Sequence, residues 1–318
     1  MKPIIFMFSG QGSHYYNMGR AMFEQNALFK KEMIKADRIC QDLIGISILS
    51  VLYPKYGVNE ASFSRTLFTH PAIFMIEYAL GQVLIEQHNI IPYATLGTSL
   101  GEFAASVFAG VLGFETALIA VITQAQMIEK YCEAGNMLAI FNSYSFYDNS
   151  FLMKQKCELA SINFDTHFVI ACSHDNIEVI EEYLKSQEVM GQQLEVSHAF
   201  HSTLISPAKP YYFNFISQQK VFYNPNIPFI SSAYQQPLDN VEPSHFWNVI
   251  SLPIQFKDTI QQLEKENNYC YLDVGPSGTL ATFVKYNISK GSLSKSIQVL
   301  SPFNSNLVNF ESIKNQLL

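Results

Sequence analysis

The sequence predicts an α/β fold in which a larger domain carries a small inserted α+β domain. Residues 90–95 are apolar and rich in β-formers, and residues 103–112 are compact and helix-like, so a strand, a sharp turn and a helix follow one another. Apolar runs at residues 3–8, 227–232 and 269–274 are typical of buried strands. Strands separated by helical stretches indicate a mainly parallel sheet covered by helices.

The order of these elements sets the expected domain boundaries. Amphipathic periodicity predicts helices over residues 17–46 and 110–130. Between residues 130 and 197 short strands surround one helix, which is the pattern of a compact α+β unit. We therefore expect residues 1–129 and 198–318 to form the larger domain and residues 130–197 the smaller one.

Composition excludes several classes of protein. The chain has 318 residues, 48% of them hydrophobic and 15% charged, which is typical of a globular protein. A net charge of −7 and only three arginines argue against nucleic-acid binding. The first apolar run is too short for a signal peptide. Residues 103–122 are interrupted by Glu115 and two glycines, so we interpret them as buried core, not as a membrane span. The five scattered cysteines indicate a reducing cytoplasm.

A Gly-x-Ser-x-Gly pentapeptide stands at the turn between the predicted strand and helix, with Gly97, Ser99 and Gly101 at its fixed positions. This is the pattern of a nucleophile elbow, in which glycines let the backbone turn without a Cβ clash. Ser99 would stand at the helix N-terminus, where the Leu100 N–H is free to receive a developing negative charge. A helix-capping serine would give the same pentapeptide, so both interpretations stay open on this motif alone.

A second motif supplies a candidate base. His198 and His201 lie three residues apart in a His-Ala-Phe-His run. A nucleophilic serine needs a base, and histidine is the usual one. The same pair could ligate a metal, but no third ligand has suitable spacing, so we expect no metal site. Gln11 lies in a Ser-Gly-Gln-Gly-Ser-His loop that lacks the lysine of a phosphate-binding loop, and we expect it to contribute a backbone N–H beside the serine.

Five motifs occur together in one order: Gly-Gln-Gly-Ser from residue 10, the elbow ending in Glu102, Asn163, Ser-His-Ala-Phe-His-Ser from residue 197, and Asp-Val-Gly-Pro from residue 273. In this order and spacing the chain resembles the acyl-carrier-protein acyltransferases, the malonyl transferases of fatty acid and polyketide synthesis, over nearly its whole length. The resemblance implies a large α/β-hydrolase-like domain with an inserted ferredoxin-like domain.

The resemblance also implies the roles of individual residues. Ser99 would be the nucleophile and His201 the base, and the backbone N–H groups of Gln11 and Leu100 would form the oxyanion hole. In the family a backbone carbonyl four residues before a Pro-x-x-aromatic run orients the base. Here that run begins at residue 253, so Val249 is expected to supply the carbonyl, and no triad aspartate is required.

Two departures from the malonyl enzymes bear on the substrate. Those enzymes carry an arginine about 25 residues past the serine, where this chain has Gln124. An amide cannot make the paired charged hydrogen bonds by which a guanidinium holds the malonyl carboxylate. Thr98 takes the place of the usual histidine before the serine. We expect Thr98 and Gln124 to line the acyl pocket together with His198 and Phe200.

Because it lacks this arginine, the chain most resembles the free-standing acyl hydrolases of trans-acyltransferase polyketide synthases. Those enzymes remove stalled acyl groups from carrier proteins. We therefore expect hydrolysis of acyl thioesters on carrier-protein domains of a polyketide synthase. Acyl transfer from CoA to a carrier protein and a carrier-binding module with little turnover stay open as alternatives. The substrate would bring its own phosphopantetheine, so no further cofactor is expected. By analogy with free-standing relatives we expect a cytoplasmic monomer with no nucleic-acid or membrane partner.

Overall fold

The computed structural model describes residues 2–54, 63–219, 222–303 and 308–317. Its strands are β1 (Ile4–Phe8), β2 (Ala94–Gly97), β3 (Gly135–Ile140), β4 (Glu158–Phe164), β5 (His167–Ser173), β6 (Gly191–Gln193), β7 (Phe229–Ser231), β8 (Gln236–Pro237), β9 (Cys270–Asp273) and β10 (Lys295–Gln298). Its α-helices are α1 (Arg20–Gln25), α2 (Ala27–Ile44), α3 (Ile48–Leu52), α4 (Thr66–Gln82), α5 (Gly101–Phe108), α6 (Phe114–Tyr131), α7 (Ser145–Asp148), α8 (Phe151–Lys156), α9 (Ile177–Ser186), α10 (Lys209–Ile216), α11 (His245–Ser251), α12 (Phe256–Glu266), α13 (Thr279–Asn287) and α14 (Phe310–Leu317).

The larger sheet has six strands in the order β10-β9-β1-β2-β7-β8. Its strands pair in parallel apart from the edge strand β8. Alternate residues of β1 contribute to two hydrophobic clusters, one on each face of the sheet, as in a sheet covered by helices on both sides. In the register of β1, Phe8 pairs with Gly97 and Met7 with Asp273. The loops that follow β1, β2 and β9 therefore meet at one edge of the sheet.

The smaller sheet has four antiparallel strands in the order β4-β5-β3-β6. Helices α7 and α8 lie between β3 and β4 in the chain, and α9 lies between β5 and β6. This is the β-α-β-β-α-β arrangement of a ferredoxin-like unit. The expected α/β fold class is confirmed. All four strands fall within residues 130–197, although the exact domain boundaries stay a prediction.

Several predicted elements have different ends in the structure. The helix predicted over residues 17–46 is interrupted at Asn26. The Asn26 side chain accepts a hydrogen bond from the Phe29 N–H and so caps the N-terminus of α2. The helix predicted from residue 110 begins at Phe114, because Gly110 has a left-handed φ of 80° and Gly113 is extended.

One helical stretch among the described residues, Thr66–Gln87, is long and apolar enough to cross a membrane by length and composition. It consists of α4 and a π-helical turn, Val83–Gln87, and most of its apolar window is buried inside the fold. The stretch considered from the sequence, residues 103–122, is divided between α5 and α6. All five cysteines carry free thiols.

Candidate active site

The chain makes a sharp turn between β2 and α5, and Ser99 lies at its tip. Ser99 has a left-handed φ of 57°, which is strained for a residue with a side chain. A Cβ on Gly97 would clash with the Glu102 backbone, and a Cβ on Gly101 would clash with the Phe8 carbonyl. Both glycines are therefore required by close backbone contacts, as expected for a nucleophile elbow.

The Ser99 hydroxyl lies within hydrogen-bonding distance of an imidazole. Ser99 Oγ lies 2.8 Å from His201 Nε2, and His201 Nδ1 lies 2.7 Å from the Leu252 carbonyl oxygen. Because a carbonyl can only accept, Nδ1 carries the proton and Nε2 is left to accept from the serine hydroxyl. In this geometry the imidazole can take the serine proton as the oxygen attacks an electrophile.

The expectation that Val249 orients the histidine is wrong. The Leu252 carbonyl accepts the hydrogen bond from His201 Nδ1. The Ile250 carbonyl accepts a hydrogen bond from the His201 backbone N–H at 2.8 Å. Helix α11 ends at Ser251, and Leu252 is extended with a ψ of 149°. The carbonyls at and beyond the end of a helix lack helical partners and are free to bind other groups.

Burial lowers the pKa of His201 to about 4, although the hydrogen bond to Leu252 acts in the opposite direction. A neutral base is active above its pKa and is lost as the pH falls through it. We therefore expect the rate of Ser99 acylation by p-nitrophenyl acetate, measured by stopped flow, to be constant between about pH 6 and pH 8 and to fall below about pH 5. An inflection near 6.5, the ordinary pKa of histidine, would contradict this account.

Two backbone N–H groups lie beside the serine. Among the described residues, neither the Gln11 nor the Leu100 N–H donates a backbone hydrogen bond. The two segments are in close contact, because a Cβ on Gly10 would stand 2.8 Å from Ser99 Cβ and 3.3 Å from the Leu100 nitrogen. Unpaired N–H groups beside a nucleophile can bind an oxyanion.

A cavity of about 260 Å³ opens at Ser99 and His201 and extends along the smaller sheet. Its apolar wall comes from alternate residues of neighbouring strands and from the segment before the histidine: Met137, Ala139, Val169, Leu194, Val196 and Phe200. No Lys, Arg, Asp or Glu lines the cavity in the part of the chain that the structure describes. Burial also lowers the pKa of His167, on the cavity wall, to about 4. The cavity is therefore uncharged at neutral pH.

The structure brings only half of the predicted acyl-pocket residues to this cavity. Thr98 and Phe200 line it, whereas His198 and Gln124 do not. His198 Nδ1 lies 3.1 Å from Thr66 Oγ1, and the His198 and Phe200 ring centroids are 6.3 Å apart. Gln124 is fully buried, and its Nε2 donates to the Phe246 carbonyl at 2.8 Å. Its amide is held between helices α6 and α11, so the prediction that Gln124 borders the acyl group needs correction.

Three polar residues on the cavity wall had no predicted role. Ser161 Oγ donates to Asn163 Oδ1 at 3.1 Å, and Asn163 Nδ2 lies 3.0 Å from His167 Nδ1. An amide N–H₂ only donates, so His167 Nδ1 accepts and its proton is on Nε2. Asn163 was part of the sequence motif, and its spacing of two from Ser161 was a signal that these two residues share one face of a strand. His167 begins the next strand, β5, and no local pattern in the sequence linked it to them.

No group of three or more His, Cys, Asp or Glu side chains among the described residues is arranged to hold a metal ion. The two histidines of the His-Ala-Phe-His run have different partners. His201 contacts Ser99 and Leu252, and His198 contacts Thr66 and Ser197.

Comparison with known proteins gives consistent results. Residues 5–317 match the family described as "Acyl transferase domain". The chain is 41% identical over 314 residues to "Polyketide biosynthesis acyltransferase homolog PksD" of Bacillus subtilis, covering 98% of this chain and 96% of that protein. It is 38% identical over 317 residues to "Polyketide biosynthesis acyltransferase homolog BaeD" of Bacillus velezensis, covering 100% and 97%. The fold superposes on malonyl-CoA:acyl carrier protein transacylase from Helicobacter pylori with a TM-score of 0.81 and 20% identity, covering 100% and 98% of the two chains.

Proposed function

Because the chain belongs to the acyl transferase domain family, we propose that it hydrolyses uncharged acyl thioesters of carrier proteins in polyketide biosynthesis, through an acyl-enzyme on Ser99. The relatives from Bacillus are described as acting in polyketide biosynthesis, and the thioesters of that process are carried on phosphopantetheine. The partners would be carrier-protein domains of a polyketide synthase, and the phosphopantetheine arm would enter with the substrate. Cytoplasmic location and a monomeric state stay predictions.

The observation that carries this proposal is the uncharged cavity at Ser99. A malonyl group brings a carboxylate, which is costly to bury without a cationic partner. The cavity has no such partner among the described residues, and its histidines are neutral at pH 7. An acetyl, propionyl or butyryl group has no carboxylate and would pack against the apolar wall of the cavity.

The chemistry proceeds in two balanced steps. Ser99 Oγ attacks the thioester carbonyl while His201 Nε2 takes the hydroxyl proton, and the oxyanion is held by the N–H groups of Gln11 and Leu100. The carbon–sulfur bond breaks and the pantetheine thiol leaves with the proton from His201. A water molecule then gives a proton to His201 and attacks the acyl-enzyme. The free acid leaves, and the proton returns to Ser99.

Acyl transfer from CoA to the thiol of a carrier protein is the other candidate, because the family is described by acyl transfer. It would use the same acyl-enzyme and the same base, and the acyl group would pass to a carrier-protein thiol instead of to water. A binding module with little turnover is less well supported, since the hydroxyl and the imidazole are within hydrogen-bonding distance at 2.8 Å.

The proposal predicts the order of substrates. Losing the partner of a buried charge typically costs about 2–5 kcal/mol, so we expect malonyl-carrier protein to acylate Ser99 at least about 30-fold more slowly than acetyl- or butyryl-carrier protein. The measurement is the single-turnover loss of each acyl group from the same carrier protein, followed by intact-protein mass spectrometry, with Ser99→Ala as the blank. A clear preference for malonyl would contradict the proposal.

A further inference from the structure

The residues after β1 are held by helix α4. We name residues 9–13 the oxyanion loop, because they include Gln11. The Ser9 N–H donates to Glu77 Oε1 at 2.6 Å, and the Ser9 hydroxyl donates to the same oxygen at 3.0 Å. Two turns earlier on α4, Thr69 Oγ1 accepts from Gln11 Nε2 at 2.6 Å. One helix therefore contacts both Ser9 and Gln11.

Glu77 stands out within its helix. It is fully buried, and it is the only acidic residue in the 17 residues of α4. Acidic side chains are rarely buried unless they have a partner. Burial raises the pKa of Glu77 well above its usual value, with Asp273 acting in the same direction and the Ser9 hydrogen bonds in the opposite one. A neutral carboxyl group can still accept both hydrogen bonds at Oε1.

The oxyanion loop has little room to move on its other side. Gly10 lies so close to the elbow that a Cβ there would stand 2.8 Å from Ser99 Cβ and 3.0 Å from the Thr98 carbonyl oxygen. A Cβ on Gly275 would clash with the Ser9 hydroxyl. The position of the Gln11 N–H relative to Ser99 is therefore set by contacts with the elbow on one side and with α4 on the other.

We propose that Glu77 and Thr69 are positioning residues, which hold the oxyanion loop so that the Gln11 N–H faces the oxyanion formed at Ser99. The inference rests on the proposed oxyanion-hole role of Gln11. It does not depend on the final acyl acceptor, because the hole acts in the formation and breakdown of every acyl-enzyme. The Gln11 N–H must lie well within 1 Å of its best position to stabilise the oxyanion. Loss of a single hydrogen bond that holds a loop can displace the loop by more than this.

The test is the rate at which p-nitrophenyl acetate acylates Ser99, followed as the burst of p-nitrophenolate. This ester needs no carrier protein, so the result is independent of the choice between hydrolysis and transfer. Glu77→Leu removes the acceptor for both Ser9 hydrogen bonds. We expect it to lower the maximal acylation rate at least about tenfold with little change in KM. This loss is smaller than the roughly 10²–10³-fold loss that removal of an oxyanion donor causes, because the Gln11 N–H would be displaced but still present. Glu77→Gln keeps an acceptor oxygen in place and should restore the rate to within about threefold of the parent.

Two further variants separate positioning from a general loss of stability. Leu84 is fully buried and follows Glu77 by seven residues, about 10 Å along the helical stretch, so Leu84→Ala should lower the melting temperature but leave the acylation rate unchanged. If Glu77→Leu does not fold, Thr69→Val removes only the hydroxyl that binds Gln11 and should still lower the rate about threefold or more, with Thr69→Ser restoring it. Parent-like rates in folded Glu77→Leu or Thr69→Val, or an equal loss in Leu84→Ala, would overturn the proposal.

Discussion

Ser99→Ala is expected to abolish formation of the acyl-enzyme and, with it, all turnover of acyl-carrier protein above the uncatalysed rate. Ser99 Oγ is the only hydroxyl within hydrogen-bonding distance of His201 Nε2 among the described residues, and Ser99 lies at a strained turn. The substitution removes one oxygen and leaves the cavity uncharged. The measurement is the intact mass of the enzyme after mixing with acetyl- or butyryl-carrier protein.

The matched control for this variant is Ser161→Ala. Ser161 also lines the cavity, and its hydroxyl donates to Asn163 instead of meeting the histidine. We expect Ser161→Ala to keep the covalent acyl mass, and Ser99→Ala to lose it. An acyl mass on folded Ser99→Ala protein would show that another residue is the nucleophile.

The second large effect is expected at the base. His201→Ala should lower the acylation rate by about 10²–10⁴, the usual contribution of a positioned general base, with a much smaller change in KM. Acylation would then depend on hydroxide or on water as the base, so the remaining rate should rise with pH across the range where the parent rate is constant.

His198→Ala is the control for the base, because it changes the same residue type three positions earlier. His198 is buried and contacts Thr66 and Ser197, away from the cavity. Stopped-flow acylation of both variants should show a large loss at residue 201 and a rate within about threefold of the parent at residue 198, since the hydrogen-bonding partners of His198 are Thr66 and Ser197 and not the nucleophile. Equal losses in the two folded variants would mean that the assigned base is wrong.

Features set by neighbouring residues could be predicted from the sequence. The elbow could be predicted because its glycines, its serine and its flanking strand and helix are adjacent in the chain. His201 could be paired with Ser99 only through the family resemblance, because 102 residues separate them and no local rule brings them together. The parallel sheet followed from buried apolar strands, whereas the ends of helices depended on the conformations of single residues such as Asn26 and Gly113.

Errors arose where backbone geometry or packing decided the outcome. Counting residues along the chain predicts the Val249 carbonyl as the partner of His201, but the end of α11 exposes the carbonyl of Leu252. Gln124 was placed at the acyl group from its distance along the chain, but packing against α11 gives its amide a backbone partner. Glu77 was overlooked, although a lone acid in an apolar helix is a visible signal in the sequence.

The fate of the acyl group tests the central claim most directly. Acetyl-loaded carrier protein is mixed with the enzyme and an unloaded holo-carrier protein of different mass, and every protein mass and the free acetate are followed over time. Our account predicts that the donor loses its acetyl group, the enzyme gains it transiently on Ser99, the acceptor stays unloaded, and free acetate appears in equal amount. Acetyl groups appearing on the acceptor in the amount lost by the donor, without free acetate, would contradict it.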